Sequence, residues 1–288
     1  MPGREEKTGK LSRCFRYYRE IIVIKVAVSG ASGRMGQEVL KTVLNAEDTE
    51  LCAAIDFYNE GQDVGTLLGT GPQGVQITSD LAEALATSGA DVLVDFTRPQ
   101  SVAANTITAL QAGVRPVVGT TGMSREDFEQ VVDLAQKKRL GCVIAPNFAI
   151  GALLMIKFAA EAAKYLPHVE IIEKHHDQKL DAPSGTAVKT AEAILEQRGE
   201  FKQGLDVEEE KIEGARGGKM PGGLRIHSVR LPGFVAHQEV IFGGVGQTLT
   251  IRHDSISRES FMSGVLLAVR AVMRLEGVVY GLENLLFE

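Results

Sequence analysis

A chain of 288 residues, 44% hydrophobic and 24% charged, carries enough apolar material for about two packed domains, which excludes general disorder. With 31 Lys and Arg against 37 Asp and Glu the formal net charge is −6, the wrong sign for a protein that coats nucleic acid, while a local basic pocket for a small anion stays open. Cys14, Cys52 and Cys142 are widely spaced and form no CxxC pair, so a disulfide scaffold and a zinc knuckle are not expected and a reducing, cytoplasmic compartment fits; no apolar run approaches the ~18 residues of a membrane span.

Residues 1–22 mix Arg4, Lys7, Lys10, Arg13, Arg16 and Arg19 with Glu5, Glu6 and Glu20. They are expected to form an extension, either a frayed segment or a docking or targeting arm. The apolar run from Ile21 to Val28 is broken by Lys25 and runs into a glycine-rich loop, so it reads as a buried strand and not as a signal sequence. The pattern then predicts a helix over Arg34–Ala46, a strand over Leu51–Asp56 and a helix over Asp80–Ser88 with Asp80 as its cap. A strand over Asp91–Thr97, a helix over Ser101–Ala112 and a strand over Arg115–Gly119 follow. Ser124 and Asp127 stand at capping-box spacing at the head of a helix running to Arg139, and Leu140–Ala145 is one more strand. Strands alternating with helices imply βαβ units, an α/β fold with a doubly wound parallel sheet over residues 23–147.

Past Pro146 the rhythm changes. A helix is expected over Gly151–Tyr165, a strand over Val169–Glu173 and a helix over Thr186–Arg198. The charged, glycine-rich segment Glu208–Gly223 reads as a mobile loop. Leu224–Leu231, Glu239–Gly243 and Thr248–His253 read as antiparallel strands of a mixed open sheet, and Glu259–Glu276 as the last long helix. The second unit is therefore a smaller α+β domain.

Gly30-Ala31-Ser32-Gly33-Arg34-Met35-Gly36 joins the first strand to the first helix. Glycine permits the sharp turn, and the helix entrance offers free N–H groups and a favourable dipole to a diphosphate. The spacing is GxxGxxG, weak by itself, but Asp56 ends the second strand twenty residues beyond Gly36, where an acid can hydrogen-bond an adenosine ribose. This is the Rossmann-like arrangement. Residues 57–60 hold no Lys or Arg, and Arg34 is the one cation in the loop, so NADH is expected to serve at least as well as NADPH. Asp95-Phe96-Thr97, Gly119-Thr120-Thr121-Gly122 and Ala145-Pro146-Asn147-Phe148 each stand at the carboxyl end of a strand, where ligands of open α/β sheets collect.

The densest polar constellation is Glu173-Lys174-His175-His176-Asp177-Gln178-Lys179, followed by Asp181-Ala182-Pro183-Ser184-Gly185-Thr186 at a helix entrance. His175 or His176 can exchange a proton near neutral pH, and Lys179 can hold a carboxylate or donate a proton. Ser184, Gly185 and Thr186 offer a second anion site, so the segment suits a small dicarboxylate. No metal is expected, because adjacent histidines rarely point at one ion, and a serine triad lacks its GxSxG elbow.

GASGRMG, DFT, VVGTTG, APNF and, most specifically, EKHHDQKLDAPSGTA resemble the 4-hydroxy-tetrahydrodipicolinate (dihydrodipicolinate) reductase family, with the motifs in family order from about Ile24 onward. The resemblance implies a homotetrameric enzyme that reduces 4-hydroxy-tetrahydrodipicolinate with NADH or NADPH and loss of water, in the diaminopimelate and lysine pathway. It implies His175 and Lys179 as the catalytic pair, His176, Gly185 and Thr186 on the substrate carboxylates, and Gly30–Met35, Asp56, Gly119–Thr121 and Ala145–Phe148 on the dinucleotide. It assigns substrate binding and tetramerisation to residues 148–255 and returns residues 256–288 to the dinucleotide-binding domain. Two other readings, a semialdehyde dehydrogenase and a nucleotide-sensing regulator, leave the double histidine beside DAPSGT without a purpose. Ala236-His237-Gln238 departs from the family's common Gly-Glu-His.

Overall fold

The computed structural model describes residues 23–287 except Asp206, so the extension expected over residues 1–22 lies outside the described residues. Strand β1 (Ile24–Ser29) has a single exposed position, as a central strand must, and turns into helix α1 (Arg34–Asn45) and strand β2 (Thr49–Ile55). A short helix α2 (Val64–Leu68) and a two-residue strand β3 (Ile77–Thr78), which no hydrophobic period announces, precede α3 (Leu81–Thr87). Then follow β4 (Val92–Asp95), α4 (Pro99–Gln111), β5 (Arg115–Val118), α5 (Arg125–Lys138) and β6 (Gly141–Ile144). The expected caps form: the Asp80 carboxylate accepts from the Glu83 amide at 2.9 Å and the Ser124 hydroxyl from the Asp127 amide at 3.1 Å.

The second unit runs through α6 (Ile150–Ala163), β7 (His168–His175), α7 (Gly185–Arg198), β8 (Gly218–Lys219), β9 (Arg225–Arg230), β10 (Ala236–Gly244) and β11 (Gln247–Ser255). Last come α8 (Met262–Val272), β12 (Gly277–Tyr280) and α9 (Glu283–Leu286). β12 pairs in parallel with β6, and α8 packs its Val265, Ala268, Val269 and Val272 into the core of the first sheet.

The first sheet is parallel throughout, in the order β12-β6-β5-β4-β1-β2-β3. Val39, Leu40 and Val43 of α1 join α8 over one face, and residues of α3, α4 and α5 cover the other. The chain leaves β1 towards β2 on one side and returns to β4 on the other. The crevice beyond the carboxyl ends of β1 and β4 is the switch point where such sheets bind ligands.

The second sheet, ordered β11-β10-β7-β9-β8, is mixed. α6 and α7 cover the face bearing Val169, Ile171, Ile226, Val240 and Phe242. Glu170, Ile172 and Lys174 point to the other face, which carries the Lys174–Glu239 ion pair (2.6 Å) and the His227–Glu170 contact (2.8 Å). One expectation is corrected here. β10 and β11 are antiparallel to their neighbours, but β9 runs parallel to β7, because the chain crosses back through α7 before entering it; alternation alone cannot give direction. The segment Glu208–Gly223 is irregular up to Gly217, as a loop, and is tied to the sheet by ion pairs and one short strand. Arg216 bridges Glu170 (2.5 Å) and Glu208 (2.6 Å), Arg225 also holds Glu208, and β8 pairs with β9.

Candidate active site

The glycine turn is built for close approach. Gly30 has φ +82°, and a Cβ there would stand 2.6 Å from the Phe96 carbonyl oxygen; a Cβ on Gly36 would meet the Gly30 oxygen at 2.0 Å, so the helix entrance can lie this near the loop only without side chains. Asp56 ties the turn to the end of β2: its carboxylate accepts from the Ser32 amide (2.9 Å) and the Tyr58 amide (3.0 Å). Ala31 is buried, Ser32 and Met35 are half-buried, and Gly33 and Arg34 are exposed at the mouth. These residues fit a dinucleotide: a side-chain-free cradle, open amides at a helix entrance, and an acid one strand away.

Asp95, fully buried at the end of β4, pins the neighbouring loops. It accepts from the Thr97 amide (3.0 Å), the Thr97 hydroxyl (2.7 Å), the Asn105 amide group (2.8 Å) and the Thr120 hydroxyl (3.1 Å). Thr120 and Thr121, with Pro146 and Tyr280, line a pocket of about 430 Å³. Gly119 lies against the Phe96 ring, which packs on buried Phe148 with centroids 5.7 Å apart. Ala145 is buried beneath the same loops, and the Asn147 side chain accepts from the Ala149 amide (2.9 Å) at the head of α6. Arg98, which the sequence reading passed over, stands with its guanidinium 6.0 Å from the Tyr58 ring and so brings a second cation to the Asp56 side of the crevice. Its position directly after DFT, just past the carboxyl end of the strand next to β1, was the available signal.

In the second unit β7 extends two residues further than the hydrophobic pattern implies, so His175 is its last residue and belongs to the covered face with Ile171 and Glu173. Glu173 is fully buried. Its carboxylate meets His175 Nδ1 at 2.5 Å, receives both terminal nitrogens of Arg230 at 2.7 and 2.9 Å, and accepts from the Ser184 amide at 3.2 Å. Burial pushes this carboxyl's pKa up, but the hydrogen bonds from His175, Arg230 and Ser228 outweigh it and hold it down to about 2. An ionised Glu173 can only accept, so Nδ1 of His175 carries a proton and Nε2 is the nitrogen left to exchange one. The arrangement can therefore do one chemical task well: present an oriented imidazole Nε2 as acid or base. Glu173 was visible in the sequence as an acid in the buried phase of a strand, a place where a charge must be paired.

A cleft of about 210 Å³ brings Pro146 and Asn147 of the first unit together with His175, Ser184 and Thr186 of the second. Gln238, His253 and Ser255 of β10 and β11 also line it and were not expected there. Burial lowers the pKa of His253, against the raising effect of Asp254. Ser184 caps α7 by accepting from the Ala187 amide (3.3 Å), which leaves the Gly185 and Thr186 amides at the open entrance without acceptors in the helix. His176 and Gly185 are exposed beside the cleft and not on its wall. Lys179 also lies off the wall, paired with Asp181 at 2.7 Å. Among the described residues no group of three His, Cys, Asp or Glu side chains is placed to hold a metal, and no helix is long and apolar enough to cross a membrane.

The sequence models described as dihydrodipicolinate reductase, N-terminus and C-terminus, match residues 24–148 and 151–286. The 4-hydroxy-tetrahydrodipicolinate reductase of Desulfitobacterium hafniense is 58% identical over 264 residues, 91% of this chain and 98% of its own. That of Listeria welshimeri is 56% identical over 263 residues, 91% of this chain and 100% of its own. Among solved structures, the dipicolinate-bound dihydrodipicolinate reductase from Paenisporosarcina sp. TG-14 is 51% identical with a TM-score of 0.80, covering 91% of this chain and 99% of that one. The amine dehydrogenase from Mycobacterium smegmatis, 16% identical with a TM-score of 0.63 over 90% of this chain and 95% of that one, shares the fold alone. With both halves matched in order and half or more of the residues shared along nearly the whole described chain, this protein belongs to the dihydrodipicolinate reductase family.

Proposed function

We propose that this chain reduces 4-hydroxy-tetrahydrodipicolinate to tetrahydrodipicolinate with NADH or NADPH and loss of water, as a cytoplasmic homotetramer of the diaminopimelate and lysine pathway. The observation that carries the reading is the imidazole of His175, held through Nδ1 by buried Glu173 at a cleft shared with Pro146 and Asn147. When bound, the nicotinamide supplies the hydride. The protein must hold the diacid still and deliver one proton to the ring that has accepted the hydride. His175 delivers it from Nε2, while Glu173 keeps the proton on Nδ1 and stabilises the imidazolium before transfer. The amides of Gly185 and Thr186 and the ring of His176 receive a substrate carboxylate at the α7 entrance. Lys179 completes the charge balance. Asp181 is 60% exposed, so its pair with Lys179 is screened by water and a substrate carboxylate can replace it at little cost.

Gly30–Met35 take the diphosphate, Asp56 the adenosine ribose, and Gly119–Thr121 with Ala145–Phe148 the nicotinamide half. Asp56 favours an unphosphorylated ribose, and Arg34 and Arg98 make a 2′-phosphate tolerable, so NADH serves at least as well as NADPH. Residues 148–255 form the substrate-binding and tetramerisation unit, with the helix-free face of its sheet meeting other copies, and residues 256–288 complete the dinucleotide unit. Cys52 and Cys142 are free thiols, which suits a reducing compartment. The test is to generate 4-hydroxy-tetrahydrodipicolinate in situ with the preceding synthase and follow the absorbance of each reduced cofactor. Turnover with kcat/KM for NADH equal to or above that for NADPH is expected. No turnover with either overturns the assignment, and a clear NADPH preference overturns the reading of Asp56.

A further inference from the structure

Gln238 lies on β10 between Glu173 of β7 and His253 of β11 in the strand register, on the face that α6 and α7 cover. It is 4% exposed, in the same row as the core residues Val240 and Phe242. Its Nε2 donates to the Thr190 hydroxyl at 2.8 Å, and that hydroxyl donates in turn to the Thr186 carbonyl at 2.7 Å. A hydroxyl has one proton, so Thr190 can only accept from Gln238, and the amide is locked end for end. Oε1 is therefore the free end, and it is buried with no hydrogen-bond partner among the described residues. The same side chain lines the cleft that holds His175 and Thr186.

A buried carbonyl oxygen without a donor is costly, and a ligand that supplies the donor recovers that cost. Carboxylates cannot do so, since they too only accept. We propose that Gln238 is a specificity-determining residue whose Oε1 accepts a hydrogen bond from an N–H or O–H on the ring of the bound diacid, so that the cleft selects ring-donor diacids over diacids that carry acceptors alone. This rests on the cleft being the diacid's site. The substrate named above offers two such donors, a hydroxyl on C4 and the ring nitrogen of a protonated imine.

The test is calorimetric titration of the full chain with saturating NADH, using three probes. Isophthalate carries two carboxylates and no donor, 5-hydroxyisophthalate adds an O–H at the position of the substrate's C4, and piperidine-2,6-dicarboxylate places N–H at the position of its ring nitrogen. Gln238→Met is expected to weaken a donor-bearing probe by about 5–15-fold, the worth of one hydrogen bond, and to leave isophthalate unchanged. Selective loss of the hydroxyl probe makes C4 the source; selective loss of the amine probe makes it the ring nitrogen. Thr190→Val, which removes the anchor and lies off the cleft wall, is expected to cause the same selective loss and covers the case in which Gln238→Met does not fold. Equal weakening of all three probes, or of none, overturns the inference while the site stands. Failure of all three to bind the wild-type protein overturns both.

Discussion

Replacing Glu173 with Gln tests how the imidazole is held. The substitution keeps the shape of a fully buried side chain and removes its charge, so Arg230 loses a two-pronged carboxylate partner, and His175 keeps the acceptor that fixes its proton on Nδ1 only if the new N–H is turned against the donors of Arg230 and Ser184. Breaking a buried pair by removing one partner costs about 3–5 kcal/mol. Arg230 is 18% exposed and keeps the carbonyls of Val229 (2.8 Å) and Asp181 (2.7 Å), which places the loss near the lower end. Thermal unfolding should thus fall by roughly 6–10 °C for a chain of this size. Activity should fall by roughly 10²-fold in kcat, short of full loss of a general acid because an imidazole remains, though wrongly oriented. KM for NADH should stay within about twofold, since Glu173 touches no residue of the dinucleotide crevice. Steady-state kinetics and a melting curve on one preparation measure all three. A variant with wild-type kcat and an unchanged melting temperature refutes the reasoning, and one that melts early yet turns over normally refutes its catalytic half.

Four further outcomes follow from the same geometry. His175→Gln should lower kcat by about 10²–10⁴-fold, and Lys179→Ala should lower kcat and raise KM for the diacid together; near wild-type steady-state rates in both would end their assignment. Asp95→Asn presents N–H where four donors converge, and should raise KM for NADH by about tenfold with kcat little changed, as a cofactor titration would show. The carboxyl of Glu173 is held at about 2, below its ordinary 4.5, so it stabilises the fold above about pH 4.5 and that contribution drains away as the pH falls towards 2. Unfolding free energies measured down this range should therefore converge for wild type and Glu173→Gln; parallel curves would contradict the pairing.

The parallel sheet was legible because its strands are short β-branched runs buried on both faces, and because Asp80 and Ser124 mark helix starts chemically. β3 and β12 were not legible: β3 has only two residues, β12 begins where a long helical pattern ends, and their pairing is settled by β2 and β6 beside them. The motif residues of the site stood out, yet their supports did not. Arg230 lies 57 positions from Glu173 and reaches it only because β9 runs parallel to β7, a register no local pattern encodes. Gln238 was noticed only as a departure from a family pattern, and its locked amide depends on Thr190 of a different element. Lys179 shows the opposite limit, since the chemistry of the residue was read but its resting contact with Asp181 was not.

The most direct test of the account is a crystal structure of this protein with the nicotinamide cofactor and dipicolinate bound together. The account predicts Nε2 of His175 and the ammonium of Lys179 turned inward onto the diacid, facing the nicotinamide ring, with Nδ1 of His175 still on Glu173. Both side chains directed outward to water, with the diacid seated elsewhere, would contradict it.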